Sequence, residues 1–284
     1  MRPLRALLMC GLFWAAAGLV WGQALPLEPV HEAGASITGA FEGWFHYPDG
    51  SFGLLLGYFN RNQKQELDIP IGPDNRIEPD GPDRGQPTHF YPGRKWGMFT
   101  IKVPADFGEN KITWTIVANG QTTVIPASLK PDYEVEPFEE AAVHNTPPVI
   151  GLEEGGPTVQ GPTGMTVHRM AKVGVPLTLT VWATDDAKLT TSSGAAPRTI
   201  GPPVILTWTK YRGPGTVAFS ASRPALEKTQ KAGVPYSAKG STTATFSTPG
   251  DYTLAVQATD YSGEGGNGFQ CCWTTAHVEV AVQP

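Results

Sequence analysis

From Ile37 onward the chain runs in short stretches rich in Val, Ile, Thr and aromatic residues, interrupted by Pro and Gly clusters every ten or so residues. That punctuation constrains the fold more than any other feature, because a segment of this length, alternating with a period of two, completes a strand but not a packed helix. The best helix candidate, Arg223 to Lys231, is short and offers no apolar stripe. The 33 Gly and 27 Pro, about a fifth of the 284 residues, sit below the level of a disordered low-complexity chain. An all-β fold is expected, built as two β-sandwich domains.

Ahead of this region, Arg2 and Arg5 precede an apolar run from Ala6 to Trp21 and the small-residue site Gly22-Gln23-Ala24. The pattern predicts a secretory signal peptide over 1–24. A membrane anchor needs roughly 20 apolar residues, more than this run supplies, so no membrane span is expected once the leader is removed. Cys10 invites a lipoprotein reading, but Met9 stands where a small residue is needed. Cleavage takes the formal charge from −5 to −7 and leaves two of the three cysteines. No basic surface remains to attract nucleic acid. The expected location is secreted or periplasmic.

The first domain is expected over 25–130, with strands near 37–47, 52–60, 65–71, 94–103, 111–118 and 121–126. Asn119-Gly120 is the clearest turn, since both residues accept the positive φ of a tight hairpin. It would put Ile112, Trp114 and Ile116 on one face. A Pro- and Gly-rich stretch over 131–160 reads as a semi-rigid linker that holds the domains apart, with Val149 to Leu152 as an alternative start of the second domain. That domain, over 161–284, is expected to have strands at 177–184, 204–211, 216–220, 243–247, 252–259 and 276–282, a count that suits an immunoglobulin-like sandwich.

Two segments of this second domain carry a resemblance. Leu206-Thr207-Trp208-Thr209-Lys210-Tyr211 turns through Gly213-Pro214-Gly215 into Thr216-Val217-Ala218-Phe219, and Phe246-Ser247-Thr248-Pro249-Gly250-Asp251-Tyr252 runs on to Asp260. Both resemble PKD-type domains of extracellular proteins. The match covers less than half of the chain and departs from the pattern at 223–242 and 263–268. The resemblance implies a spacer or binding module. The N-terminal domain resembles no family in this way.

Catalytic motifs are scarce. There is no Gly-x-Ser-x-Gly, His-Glu-x-x-His or Cys-x-x-Cys. Gly263-Glu264-Gly265-Gly266-Asn267-Gly268 matches Gly-x-Gly-x-x-Gly, but no helix follows to hold a phosphate, so it reads as a loop. The six His, at 31, 46, 89, 144, 168 and 277, never fall at metal-binding spacing and read as surface residues. Asp185, Asp186, Asp260 and Glu264 gather acidic groups at strand ends and are the candidate calcium ligands; turn capping is the rival reading, and no other cofactor is expected. The 72–85 connection is long and acidic, with Arg76 and Arg84 as balancing charges.

The expected function is a secreted non-catalytic binding or structural module that contacts a protein, a polysaccharide or copies of itself. A polysaccharide-directed hydrolase or lyase using carboxylates of the 72–85 loop is the alternative, which Asp80→Ala and Asp83→Ala would test. Cys271-Cys272 is expected to be oxidised in an exported protein. Adjacent residues reach each other poorly, so pairing between molecules is a rival. Finally, a turn at Pro48-Asp49-Gly50-Ser51 would pair Tyr47 with Phe52, and place Trp44, His46, Leu55 and Phe59 on an open face beside Gly53 and Gly57. These four are the candidate ligand-binding residues.

Overall fold

A computed structural model describes residues 31–141, 143–189, 201–263 and 271–284. The leader and Glu264 lie outside them. Among the described residues there is no α-helix, only one 3-10 turn, Pro131–Tyr133. Arg223 to Lys231, the helix candidate, contains a short strand instead.

The N-terminal half is two three-stranded sheets. One has the order β1 (Ile37–His46), β2 (Phe52–Asn60), β6 (Gly93–Val103); the other has β4 (Asn75–Glu78), β7 (Lys111–Ala118), β8 (Gln121–Ser128). A two-stranded ribbon of β3 (Leu67–Asp68) and β5 (His89–Phe90) lies between them in sequence. Asn119 and Gly120 both take positive φ, 49° and 73°, and close the β7–β8 hairpin in the expected register. Ile112, Trp114 and Ile116 are all buried in one cluster with Leu54, Leu56 and Tyr58 of the facing sheet. Asn75 fastens this core: its amide oxygen accepts from the Trp114 indole at 3.0 Å, and its nitrogen donates to the carbonyls of Ile69 and Pro87. A buried amide with every polar atom paired costs nothing in unmade bonds.

The C-terminal half has a sheet of β10 (Thr158–Gln160), β9 (Val149–Gly151), β12 (Leu177–Asp185), β16 (Tyr236–Phe246) and β14 (Val217–Phe219), with β15 (Leu226–Lys228) also on β16. Its partner sheet runs β11 (Thr166–Lys172), β18 (Trp273–Gln283), β17 (Gly250–Thr259), β13 (Ile205–Arg212). Trp208, Leu254, Val256, Val278 and Val280 fill the space between them. Tyr252, at the start of β17, donates its hydroxyl to the Thr248 carbonyl at 3.0 Å, the tyrosine corner of immunoglobulin-like sandwiches. The β9 and β10 strands fall inside the stretch expected as a linker, 131–160, at the alternative start named for the second domain. Val149 already pairs with Thr184 of β12, so the second sandwich begins there.

The two halves are not held apart. Phe45 and Leu55 of the first half enclose Trp273 of the second, and Tyr211 and Ala255 belong to the first half's core cluster. Polar groups lock the same seam: the Lys210 ammonium meets Asp68 at 2.9 Å, and Gln257 donates to the Trp96 carbonyl at 3.0 Å. Residues 31–284 form one compact unit.

Candidate functional site

Residues of β18 alternate strictly. Ala276, Val278, Val280 and Val282 point into the second sandwich, so Thr275, His277, Glu279 and Ala281 line its outer face. Register places Gln257, Ala255, Thr253 and Asp251 of β17 beside them, and Thr166, His168 and Met170 of β11 on the other side. The first sandwich covers one end of this face, at Ala255 and Gln257. The other end stays open. Between covered and open ends lie two hollows of about 420 and 730 Å³ that share Arg212, Thr253 and Glu279 in their walls.

The inner hollow has a defined polar floor. The His277 ring meets the Tyr211 ring at a tilt of 52°, centroids 4.7 Å apart, while its backbone N–H donates to the Met165 carbonyl at 2.7 Å. The His277 Nε2 and the Thr275 hydroxyl are buried with no hydrogen-bond partner among the described residues. One wall is fixed by Arg212, whose guanidinium grips both carboxylate oxygens of Asp83, at 2.8 and 2.9 Å, and the Gln86 carbonyl. That fork holds the Asp83 carboxyl below its usual range. Glu279 pairs with His168 at 3.1 Å on the open side.

Burial, aided by Arg212, lowers the His277 pKa to about 4. Unfolded, the ring takes its proton near 6.5. Between these values the unfolded chain binds more protons than the folded one, so stability falls as pH drops from about 6.5 to 4 and levels off below. The loss attributable to His277 is expected to reach about 3 kcal/mol. Burial raises Asp185 and Glu42 to about 7, with the opposite sign over an overlapping range. The measurement is therefore a difference profile: urea unfolding of wild type against His277→Gln from pH 4 to 8. A gap between the two that does not change with pH would refute the assignment.

The expected aromatic face is corrected. The first hairpin closes with five residues, Tyr47 to Ser51, with Tyr47 N–H donating to the Ser51 carbonyl at 2.9 Å and Asp49 accepting from Ser51. The register therefore pairs His46 with Phe52 and Trp44 with Leu54, one residue away from expectation, and a bulge follows at Phe41/Gly43. Such a slip exchanges faces. Trp44 is 7 % exposed, packs edge-on against Phe52, and donates its indole N–H to the Lys130 carbonyl at 2.7 Å. Leu55 is fully buried, and the Phe45 ring lies over Gly53. Only His46, paired with Glu134, and Phe59 reach solvent, so the four residues form no common platform.

Other expected positions fall out as follows. Of the six histidines, His89 is buried and His277 half-buried, and the other four lie on the surface. Asp80 pairs with Arg84 on the surface, and Asp83 is engaged by Arg212. Cys271 and Cys272 are bonded to each other. Asp185 and Asp260 are buried and Asp186 bonds Thr146. Among the described residues no three His, Cys, Asp or Glu side chains meet as a metal-binding group, and no helix is long and apolar enough to cross a membrane. The missed residues, Thr275, His277 and Glu279, had a signal in their alternation with Ala276, Val278 and Val280.

No family model matches the chain, and no curated protein matches it. Among solved structures, it is similar to domains 4 and 5 of the S-layer protein SbsC, at 12 % identity over 87 % of this chain and 98 % of the other, with a TM-score of 0.23. A protein of unknown function from Porphyromonas gingivalis W83 aligns at 10 % identity over 86 % of this chain and 99 % of its own, TM-score 0.24. An endo-fucoidan hydrolase from glycoside hydrolase family 107 aligns at 15 % identity over 89 % of this chain and 30 % of the hydrolase, TM-score 0.21.

Proposed function

We propose that the protein is an exported, non-catalytic binding or structural module, its second sandwich PKD-like, and that the cleft on the outer face of β17 and β18 is where it takes a glycan. One observation carries this reading: the floor of the cleft holds the Thr275 hydroxyl and the Nε2 of a neutral imidazole, both without partners among the described residues, between the Arg212–Asp83 and Glu279–His168 pairs. Sugar hydroxyls donate and accept at once, which suits a threonine and an uncharged histidine better than a purely anionic or cationic ligand does. Leaving such groups unpaired is costly, so a ligand that pairs them gains specificity.

The test is calorimetric titration of the full chain with soluble polysaccharides, among them a fucoidan, a β-glucan and a xylan. Thr275→Val, which keeps the shape and removes the hydroxyl, is expected to weaken the binding about tenfold with little change in melting temperature. Binding that is identical in the variant, or no binding to any of the three, would remove the cleft from consideration. A hydrolase or lyase is the second reading, because Glu279 and Asp251 both border the larger hollow. Release of reducing ends that disappears in Glu279→Gln or Asp251→Asn would establish that reading in place of the first.

A further inference from the structure

The strand β12 ends on Ala183-Thr184-Asp185 and β17 leads into the same tripeptide, Ala258-Thr259-Asp260, and the chain enters β9 beside them through Asn145 and Thr146. Asp185 is 5 % exposed, Asp260 3 % and Asn145 fully buried. The hydrogen bonds among them are incomplete in a particular way. Asp260 accepts from Ser262 with one oxygen, and from the Asn145 amide nitrogen at 2.6 Å with the other. Asp185 accepts from the Ala187 N–H with Oδ1. Among the described residues, Asp185 Oδ2 and Asn145 Oδ1 have no partner. Both orphaned atoms are acceptors. The Asn145 nitrogen is committed to Asp260, so its oxygen has no role left except to accept.

Charge sharpens the point. The ionisable groups acting on Asp185 are Asp260 and Asp186, both of its own sign, and Asp186 acts in the same way on Asp260. The nearby Lys188 ammonium sits 3.6 Å from Asp186, whose carboxylate also holds the Thr146 N–H and hydroxyl at 3.1 Å. Asp186 therefore positions the chain that carries Asn145. What remains is a buried set of oxygens, two carboxylates and one carboxamide, that lacks a positive centre among the described residues. A hard cation that accepts irregular all-oxygen shells, completed by backbone carbonyls and water, is calcium; magnesium demands a stricter octahedron and keeps more of its own water. Zinc and other nitrogen- or sulfur-seeking ions have no ligand here.

We propose that Asp185, Asp260 and Asn145 hold a calcium ion, which ties the segment entering β9 to the ends of β12 and β17. The set differs from the one expected from sequence: Asn145 joins it, Asp186 serves as a positioning residue, and Glu264 lies outside the described residues. Two carboxylates and an amide are not a group of three acidic side chains, which is why counting acids alone does not reveal it. The ion would act as a clip at the place where the second sandwich begins.

The experiment uses the full chain, stripped with EDTA and dialysed. Adding calcium to about a hundred times its dissociation constant is expected to raise the melting temperature by about 5–10 °C, with one ion bound per chain by calorimetry. Terbium is expected to occupy the same site and to be sensitised by Tyr236 and Tyr261, both of which feel the Asp185 charge. Asp185→Asn should fold, since it keeps the shape, yet lose the calcium shift and the terbium signal together. Asn145→Ala removes the amide oxygen and is expected to lower the affinity at least tenfold. An equal melting temperature in calcium and in EDTA, an equal shift with magnesium, or undiminished terbium luminescence in Asp185→Asn would each overturn the proposal.

Discussion

Replacing Glu42 with alanine is expected to cost about 3–5 kcal/mol of folding stability, because it would leave the half-buried Arg94 guanidinium and the buried Gly97 N–H without the carboxylate that pairs both. The Glu42 side chain is 1 % exposed and lies over Gly57, where a Cβ would come within 2.2 Å of its Oε1. That oxygen accepts from Arg94 at 2.5 Å and the other from the Gly97 N–H at 2.7 Å. Arg94 also donates to the carbonyls of Tyr58 and Lys95, and its guanidinium rests 3.9 Å from the Trp96 ring centroid. The pair thus bridges β1 and β6 across β2, where both ladders shift register, at Phe41/Gly43 and at Leu56/Tyr58. Bulges leave backbone groups unpaired, and Glu42 supplies the acceptor that one of them lacks.

The size of the loss separates two contributions. Glu42→Gln keeps an acceptor for Gly97 and removes only the charge, so it is expected to cost less, about 1–3 kcal/mol. Removing Arg94 as well relieves the stranded charge; Glu42→Ala with Arg94→Ala should therefore fall short of the sum of the single losses by at least about 1 kcal/mol. Urea unfolding at constant pH of these three variants and of Arg94→Ala alone supplies every loss in the comparison. A Glu42→Ala protein within 1 kcal/mol of wild type would mean that water reaches this pair and the bridge is ornamental.

How legible this fold was in sequence depends on the range of the determinant. The β7–β8 hairpin was readable because Asn119-Gly120 dictates its own loop and Ile112, Trp114 and Ile116 dictate the face. Pro48-Asp49-Gly50-Ser51 is different: four- and five-residue closures both satisfy its local chemistry. What selects the longer one is remote, the Lys130 carbonyl on Trp44 and Trp273 against Phe45. The parallel pairing of β11 with β18 joins residues about a hundred apart and leaves no local mark. The cleft was legible only in part. Alternation in β18 reveals that His277 faces outward, but its burial arises from Tyr211, a residue of another strand.

The other large effect is expected at Trp273, where truncation to alanine should cost about 3–5 kcal/mol and loosen the seam between the halves. Trp273 opens β18, directly after the Cys271–Cys272 disulfide, and is 1 % exposed. Its indole fills the gap between Phe45 and Leu55 of the first sandwich and Phe138 of the segment that connects the two. It also lies against Gly97, where a Cβ would stand 2.1 Å from the indole Nε1. Gly97→Ala therefore collides with Trp273 in the wild type, and in Trp273→Ala the new methyl enters the space that the ring has left. The positive φ of Gly97, 53°, strains alanine equally in both backgrounds, so a double-mutant cycle cancels it and reports the contact alone. Coupling of at least 1 kcal/mol is expected, with the double variant more stable than the summed losses allow. Because Trp273 joins the halves, unfolding should be a single transition in the wild type and should separate into two when near-UV circular dichroism is compared with backbone signals in Trp273→Ala. A loss below 1 kcal/mol, or additive single effects, would show that the polar bonds of Lys210 and Gln257 hold the seam without the indole.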